Sequence, residues 1–417
     1  MDFNAFYTEQ FKRQQEQALP LSGVRIIDMA SLIAAPFAAT LLGDYGAEVI
    51  KVENPNVPDG IRDWAAGDDM PVQPFWAVFA RNKFPMTLNL KSRAGKDLFF
   101  ELITKADIVT QNMRPGALDK LGIGKEELLK ANPGLIIGSV SGYGQSGPYA
   151  SRPGFGTLAE AYSGFVYLNA HPGGPPTNPP LALADLIAGT NLALAIMIAL
   201  RNQKRGEKGG QEIDISLYEP LFGMLGPDFL SSSLTGKIPQ PKGNELSYVA
   251  PRNSYQTKEG RWVSLSGSAQ KACERIFEAA GHPEMNEDPR FSTNEERIKD
   301  ENRKIVNQVI AEWIGSMTLD EVIAKCDSLG VTIGTINTMA DIANDPHYQE
   351  RGSFVDIEDP VSGKTLQIPN VPFRLLQTPG QIQFPGMPVG SANRTIIQQL
   401  LGRQDHEIAE LEKQGAR

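Results

Sequence analysis

Short apolar runs alternate with helix-forming stretches along residues 21–220, and this alternation restricts the fold more than any other feature of the 417-residue chain. Short apolar runs predict strands, and the longer amphipathic or apolar stretches between them predict helices. The alternation is typical of an α/β fold built on a mostly parallel, doubly wound sheet. Predicted strands cover 24–28, 48–53, 84–90, 107–112, 135–141 and 212–219, and predicted helices cover 35–46, 91–106, 156–168 and 184–204.

The chain changes character after residue 225. Residues 231–247 are polar and contain Gly and Pro, which predicts a linker. A predicted hairpin at 253–266 turns at Lys258-Glu259-Gly260, and helices of mixed charge follow it. Residues 250–335 are therefore predicted to form a second, smaller α/β or α+β domain.

Both ends of the chain carry helical patterns. Aromatic residues at Phe3, Tyr7 and Phe11 recur at helical spacing, so residues 1–20 are predicted to form an arm that packs on protein rather than on a membrane. Residues 392–414 are predicted to form a helix, with Asp405 as an N-cap.

Composition argues against several kinds of site. The net charge of −9 disfavours nucleic acid as a partner. Two cysteines allow no disulfide framework and no zinc motif, and the four histidines are scattered, so we expect no metal and a reducing cytoplasm. The apolar stretch 181–200 is long enough to cross a membrane, but it contains Asp185, Thr190 and Asn191, which favours a buried helix.

A glycine-rich motif follows the strand predicted at 135–141. Residues 142–147 read G-x-G-x-x-G, the pattern of a dinucleotide-binding turn. Pro148 and Pro153 follow instead of a helix, so no NAD site is predicted. Two interpretations stay open: a plain surface turn, or a loop whose glycines let a ligand approach the backbone at a strand end.

Cationic side chains follow several predicted strands. Arg114 and Lys120 come after one strand, and Arg81, Lys83 and Lys91 lie close to another. Each one alone could be a solvated surface charge. Together they predict an anion pocket at the carboxyl edge of the sheet.

Asp185 is the carboxylate with the most unusual surroundings. It follows an uncharged run, 179–184, and precedes the small residues Ala188 and Gly189. Such a residue could simply cap a helix. Alternatively, the helix N-terminus would stabilise its charge and apolar surroundings would exclude water, as a carboxylate nucleophile requires. The chain contains no G-x-S-x-G, no Walker A motif and no convincing Cys–His pair.

At these residues the sequence resembles the family III CoA-transferases, the group of formyl-CoA, carnitine and bile-acid CoA-transferases. The resemblance spans about residues 20–415, and the order and spacing of its motifs make it specific. They are LSGVRIIDMASLIAAPFAATLLGDYGAEVIKVENP (21–55), NLKS (89–92), NMRPGALDKLGIG (112–124), NPGLIIGSVSGYGQSGPY (132–149), ALADLIAG (182–189), QEIDISLYE (211–219), DPRF (288–291) and NDPHYQERG (344–352).

The resemblance implies a Rossmann-like large domain, a smaller domain, and two chains interlocked as a homodimer. It implies that 21–225 and 345–417 together form the CoA-binding domain. Residues 226–249 and 336–344 would then be linkers on either side of the small domain, 250–335.

The resemblance also implies the site. The family's catalytic aspartate falls on Asp185. Contacts to CoA fall on Leu88, Asn89, Lys91, Asn112, Met113, Arg114, Lys120 and the loop residues Ser141, Gly142, Tyr143 and Gly144. An acyl pocket is predicted at Ile33, Ala34 and Phe155, less polar than oxalate requires.

Three positions depart from formyl-CoA transferase. Ile33 replaces a glutamine, Asn54 an arginine and Ser141 a lysine, so formyl transfer to oxalate is not expected. A 2-methylacyl-CoA racemase is the alternative on the same fold, but Phe155 stands where its proton-transferring histidine would be. A non-catalytic CoA-binding protein is a second alternative.

The expected reaction moves CoA from an acyl-CoA to a free carboxylic acid. Asp185 would form an acyl anhydride and then an aspartyl-CoA thioester. CoA and its acyl esters are the substrates. Metal, NAD and ATP are not needed, and neither nucleic acid nor a membrane is an expected partner.

Overall fold

The computed structural model describes residues 1–64, 70, 72–204 and 209–417. By contacts between residues it divides into two compact units. Unit 1 comprises Met1–Phe165, Asn178–Ser233 and Glu350–Arg417, and unit 2 comprises Val166–Thr177 and Leu234–Gln349.

Unit 1 is built on a six-stranded sheet in which every neighbouring pair is parallel. The strand order is β3-β2-β1-β4-β5-β6. This confirms the predicted α/β class, and each predicted strand is present. The strands are β1 Arg25–Asp28, β2 Glu48–Glu53, β3 Lys83–Thr87, β4 Ile108–Gln111, β5 Ile136–Ser141 and β6 Gln211–Ser216.

Alternate residues of these strands face opposite sides of the sheet, and both sides are buried. Ile27, Ile50 and Val109 belong to one apolar cluster, whereas Ile26 and Ile108 belong to another. Strands buried on both faces are expected to be apolar at nearly every position, which explains the short uninterrupted runs in the sequence.

The helices of residues 1–235 are α1 Phe3–Glu16, α2 Ala34–Gly43, α3 Pro74–Phe79, α4 Arg93–Thr104, α5 Ala117–Leu121, α6 Lys125–Ala131, α7 Gly156–Tyr162, α8 Phe165–Leu168, α9 Leu183–Lys204, α10 Glu219–Met224 and α11 Gly226–Thr235; the last residues of α8 and α11 belong to unit 2. Helices α1 and α4 pack on one face of the unit 1 sheet, and α2 and α9 pack on the other.

The N-terminal arm packs on protein, as predicted. Tyr7 and Phe11 are buried against Phe84 and Phe384, and the Tyr7 hydroxyl shares a hydrogen bond of 2.8 Å with Ser391 Oγ. Helix α1 is therefore part of the core on one face of the sheet.

Helix α9 is the one helix of the described chain that is long and apolar enough to cross a membrane. It lies on the sheet, where its buried residues Ala188, Leu192 and Ile196 share an apolar cluster with α2. Gly189 allows close packing because a Cβ there would overlap the Ala34 carbonyl oxygen.

Unit 2 contains a three-stranded antiparallel sheet and the helices that cover it. The predicted hairpin is confirmed, and Gly260 has the positive φ that its turn requires. The elements are β7 Arg252–Gln256, β8 Trp262–Ser266, α12 Gln270–Ala280, α13 Asn294–Arg297, α14 Asp300–Gly315, α15 Leu319–Leu329, β9 Ile333–Thr335, α16 Met339–Asn344 and α17 Pro346–Glu350, whose last residue falls in unit 1.

Two stretches differ from the sequence-based description. Residues 166–177, placed in the large domain by the predicted range 21–225, pack with unit 2, where the Gly243 N–H donates to the Ala170 carbonyl at 2.9 Å. The loop-rich stretch after 345 contains an antiparallel hairpin, β10 Phe354–Glu358 and β11 Thr365–Pro369.

The continuous helix predicted over 392–414 is wrong. A short helix α18, Asn393–Thr395, runs into a π-helical turn at Ile396–Leu400, and Gly402 interrupts the path with a φ of +69°. Helix α19, Asp405–Lys413, then starts with Asp405 as its first residue rather than as its cap. The Gln404 N–H donates to the Glu407 carboxylate at 2.8 Å instead.

Candidate active site

The carboxyl edge of the unit 1 sheet gathers the loops that the sequence singled out. The strand order changes direction between β1 and β4, and ligands of open α/β sheets bind at such a crevice. Two hydrogen bonds join the loops that follow these strands. The Ser31 N–H donates to Asn112 Oδ1 at 2.9 Å, and Asn112 Nδ2 donates to the Ser31 carbonyl at 2.6 Å.

Buried ion pairs hold the loop after β1. Asp28 pairs with Lys83 at 2.9 Å, Lys51 pairs with Asp59 at 2.8 Å, and Lys51 also donates to the Ala30 carbonyl. Burial alone would raise the pKa of Asp28, but the charges of Lys51 and Lys83 lower it below its ordinary value. Asp59 Oδ1 accepts the N–H of Leu32, which has a φ of +65°.

Two of the predicted anion-pocket cations are not available to a ligand. Arg81 is buried and forms a bidentate ion pair with Asp44, and Lys83 is buried and paired with Asp28. The idea that they contribute to an external anion pocket is therefore wrong. A single sequence does not reveal that a carboxylate lies within reach of each one.

The residues predicted to contact CoA differ from one another in how accessible they are to a ligand. Leu88 is buried in the core, and its N–H donates to the Glu53 carbonyl at 2.8 Å, so this residue is not accessible to a ligand in the structure. Asn89 uses its side-chain amide within the chain, because Nδ2 donates to the Gly415 carbonyl and Oδ1 accepts the Lys91 N–H. The side chains of Lys91, Arg114 and Lys120 are exposed, and Met113 is half-buried.

Arg114 lines a cavity of about 590 Å³ at the ends of β4 and β5. Gln111, Ser139 and Gln145 line the same cavity, and Lys125 is a second cation in its lining, paired with Glu212 at 3.2 Å. The carboxylate residues of the lining are Asp119, Glu126, Glu127 and Glu212. Of the residues predicted to contact CoA, Arg114 alone is part of the described lining.

The glycine-rich loop leaves β5 as an extended turn. Gly142 packs on Gly154 so closely that a Cβ on either would come within 2.7 Å of the other's Cα. Gly144 has a φ of +87°, and the next N–H, of Gln145, donates to the Asp214 carboxylate at 3.0 Å. The following helix begins only at Gly156, so the helix that a dinucleotide-binding turn requires is missing there, as predicted.

Four tyrosines cluster at this loop, and only Tyr143 is among the site residues predicted from the sequence. Tyr143 lies 5.3 Å from Tyr162 and 6.0 Å from Tyr149 between ring centroids, and Tyr162 lies 4.9 Å from Tyr218. The cluster provides an aromatic wall next to Gly154, which the Tyr143 ring approaches.

Asp185 lies in the first turn of α9, directly against the first residue of α7. A Cβ at Gly156 would overlap Oδ2 of Asp185, so any other residue at this position would force the carboxylate to move. Burial and the nearby Glu160 carboxylate raise the pKa of Asp185 to about 6. The group is therefore still mostly ionised at neutral pH.

Glu160 is the site residue that sequence reasoning missed. It is buried, and its Oε1 accepts the N–H of Ala184, the residue before Asp185, at 3.2 Å. The only sequence pattern that could have indicated Glu160 is its spacing from Gly156. The two residues are four apart and therefore share one face of α7.

The predicted acyl pocket is only partly open. Ile33 and Ala34 are buried, and Ile33 packs in a cluster with Ile61 and Trp76 that also contacts Leu186, next to Asp185. Phe155 is 63% exposed. Among the described residues no group of three His, Cys, Asp or Glu side chains is placed to hold a metal ion.

Comparison with known proteins gives consistent matches. The sequence pattern of CoA-transferase family III matches residues 21–393. The chain is 39% identical to the succinyl-CoA–L-malate CoA-transferase alpha subunit of Chloroflexus aurantiacus, covering 95% of this chain and 92% of that protein. It is 37% identical to succinyl-CoA–D-citramalate CoA-transferase of the same species, covering 95% and 98%.

The fold also matches a solved structure. A CAIB/BAIF family protein from Brucella suis superposes with a TM-score of 0.80 at 28% identity, covering 92% of this chain and all of that one.

Proposed function

Because this chain belongs to CoA-transferase family III, we propose that it moves CoA from succinyl-CoA to a dicarboxylic acid of four or five carbons, with Asp185 as the nucleophile. Acyl-CoA and a carboxylic acid are substrates consistent with the relatives named above. The observation that carries the assignment of Asp185 is its place at the start of α9 against Gly156. A succinyl donor and a hydroxy-dicarboxylic acceptor appear in the names of both relatives.

The chemistry proceeds through two covalent intermediates on Asp185, first a mixed acyl anhydride and then an aspartyl-CoA thioester. A carboxylate oxygen attacks the thioester carbonyl, the C–S bond breaks, and CoA leaves as the thiolate with the electron pair. The thiolate then attacks the aspartyl carbonyl and releases the donor acid. The acceptor carboxylate reverses both steps. A carboxylate is a weak nucleophile, so positioning and exclusion of water supply the rate.

The surrounding loops have matching roles. Backbone N–H groups of the loop 142–144 are candidates to stabilise developing negative charge on the carbonyl oxygen. Arg114 is exposed at the strand end and suits the phosphates of CoA. Lys91 and Lys120 are further exposed cations for the same anion, whereas Leu88 is buried and Asn89 uses its side-chain amide and its N–H within the chain.

A racemase of the same fold is less well supported. It would need a proton-transferring side chain at Phe155, and a phenyl ring cannot exchange a proton. Mixing the protein with an acyl-CoA and measuring exchange of the α-hydrogen separates the two reactions.

The decisive experiment traps the covalent intermediate on Asp185. Incubation with succinyl-CoA and hydroxylamine should convert Asp185 into a hydroxamate that peptide mass spectrometry locates. Asp185→Ala should show neither the adduct nor transfer, while retaining CoA binding. Normal turnover by Asp185→Ala would overturn the assignment.

We also propose that the protein functions as a homodimer. Helix α9 is apolar at every position of residues 192–200, yet Leu194 and Ile198 are about 60% exposed, and Leu158 and Tyr162 of α7 are about half exposed. An apolar helix face of this extent is expected to be covered by protein. A second copy of the same chain, as the family resemblance implies, is the proposed cover.

A further inference from the structure

One face of helix α7 presents an unusual pair of residues to the start of α9. Gly156 and Glu160 are one turn apart on this face, and both are buried. Gly156 makes room for the Asp185 carboxylate, and Glu160 accepts the Ala184 N–H. Helix α7 thus adjoins two consecutive residues of α9: it leaves space for the side chain of Asp185 and accepts a hydrogen bond from the backbone of Ala184.

Glu160 is a costly residue to bury here. Its exposed fraction is 2%, and no cation of the described chain pairs with its carboxylate. A buried carboxylate without a cation is unfavourable unless hydrogen bonds and helix dipoles compensate. The Ala184 N–H, in the first turn of α9, and the positive end of that helix supply part of this compensation.

We propose that Glu160 is a positioning residue for Asp185, holding the first turn of α9 in place and raising the free energy of the ionised Asp185 through like-charge repulsion. This proposal rests on the proposed function, in which Asp185 loses its charge when it becomes acylated. Neither relative's name nor the family match assigns a role to this residue.

The repulsion acts in the direction that the reaction needs. When the Asp185 oxygen bonds to the acyl carbon and the thiolate leaves, the negative charge moves from Asp185 to sulfur. The like-charge repulsion between Asp185 and Glu160 is then relieved. A carboxylate of raised pKa is also the better nucleophile, since nucleophilicity rises with basicity.

The other elements packed on α9 leave Glu160 as the charge that acts on Asp185. Helix α2 has no charged residue between Ala34 and Gly43, and β5 has none between Ile136 and Ser141. On α10, Glu219 accepts a hydrogen bond from Ser216. On β6, Asp214 accepts the Gln145 N–H, and Glu212 pairs with Lys125. The cations of α9, Arg201 and Lys204, lie at its opposite end.

The test removes the charge and keeps the shape. Glu160→Gln retains an oxygen to accept the Ala184 N–H. For CoA transfer from succinyl-CoA, the kcat/KM of this variant should begin to fall at a pH roughly one unit lower than that of the wild type. Its kcat should be about tenfold lower. Glu219→Gln, which removes one charge from α10, is the matched control and should leave the acid limb of the pH profile in place.

A second measurement needs no activity. The stability change caused by Asp185→Asn is measured by urea unfolding near pH 8, in the wild type and in Glu160→Gln. Asp185→Asn should increase the free energy of unfolding in the wild type, and this increase should be clearly smaller in the Glu160→Gln background. Glu160→Ala carries the same expectation for the acid limb, and it serves if the buried amide of Glu160→Gln prevents folding.

The outcomes separate the two proposals. An unmoved acid limb together with equal Asp185→Asn effects in both backgrounds would overturn the role of Glu160. If the wild type transfers no CoA from any acyl donor while the stability coupling is present, the proposed function fails and the coupling of Glu160 to Asp185 stands. A shifted acid limb with stability coupling supports both.

Discussion

Asp185 and Gly156 illustrate how one missing side chain can create a site. A Cβ at position 156 and the Asp185 carboxylate cannot occupy the same space, so Gly156→Ala should displace the nucleophile. We expect transfer activity to fall by about 100-fold or more, because misplacement by about 1 Å is enough for such a loss.

The control for this substitution is Gly334→Ala in unit 2, where nothing lies within 4 Å of the added Cβ. It should leave the rate unchanged. Full activity in Gly156→Ala, with unaltered thermal unfolding, would show that the contact is not needed.

The raised pKa of Asp185 implies a cost to stability at neutral pH. Burial and Glu160 favour the protonated form in the folded chain, so the native state holds its proton up to about pH 6, above the ordinary value of 3.8. The stability contributed by protonated Asp185 is therefore fully present below the pKa of the unfolded chain, and it is lost as the pH rises through the pKa of the folded chain.

Asp185→Asn, which mimics the protonated acid, should accordingly be more stable than the wild type by about 3 kcal/mol near pH 8. The difference should disappear towards pH 4. Urea unfolding at several pH values measures it. A constant difference across this range, or a less stable variant at pH 8, would contradict the expected titration.

The same carboxyl group predicts the pH dependence of catalysis. Only the ionised form is a nucleophile, so kcat/KM should fall on the acid side with an apparent pKa near 6. Initial rates between about pH 4.5 and 8 measure this limb. A flat profile down to pH 4.5 would mean that Asp185 titrates near its ordinary value or does not act.

Helices α2 and α9 depend on close backbone contact. At Gly189 an added Cβ would overlap the Ala34 carbonyl oxygen and come within 3.2 Å of Phe37. Gly189→Ala should lower the free energy of unfolding by about 1–3 kcal/mol, the usual range for overpacking. Thr190→Ala, one residue along and exposed, should change it by less than about 0.5 kcal/mol. Equal effects on thermal unfolding would refute the packing argument.

The whole molecule shows an apolar surface that one chain does not cover. Light scattering after size exclusion should give twice the mass of one chain. Ile198→Glu places a charge on the exposed face of α9 and should reduce the dimer fraction or the yield of folded protein. Glu16→Gln, on the exposed end of α1, is a control outside this face. A wild-type monomer at micromolar concentration would refute the homodimer.

The sequence by itself determined the α/β class, because strands buried on both faces must be apolar throughout and helices between them must cover those faces. It also determined which aspartate to examine, since Asp185 interrupts an otherwise uncharged run. Local patterns of this kind can be recognised in the sequence because they do not depend on how the helices and strands are arranged in the fold.

Only the tertiary structure decided which charges are free and what surrounds Asp185. Arg81 and Lys83 resemble surface cations in the sequence, yet Asp44 and Asp28 bind them in the interior. Glu160 belongs to a helix 25 residues before Asp185, and the gap at Gly156 is visible only against α9. Such pairings depend on contacts between distant segments, and no local pattern of residue types specifies them.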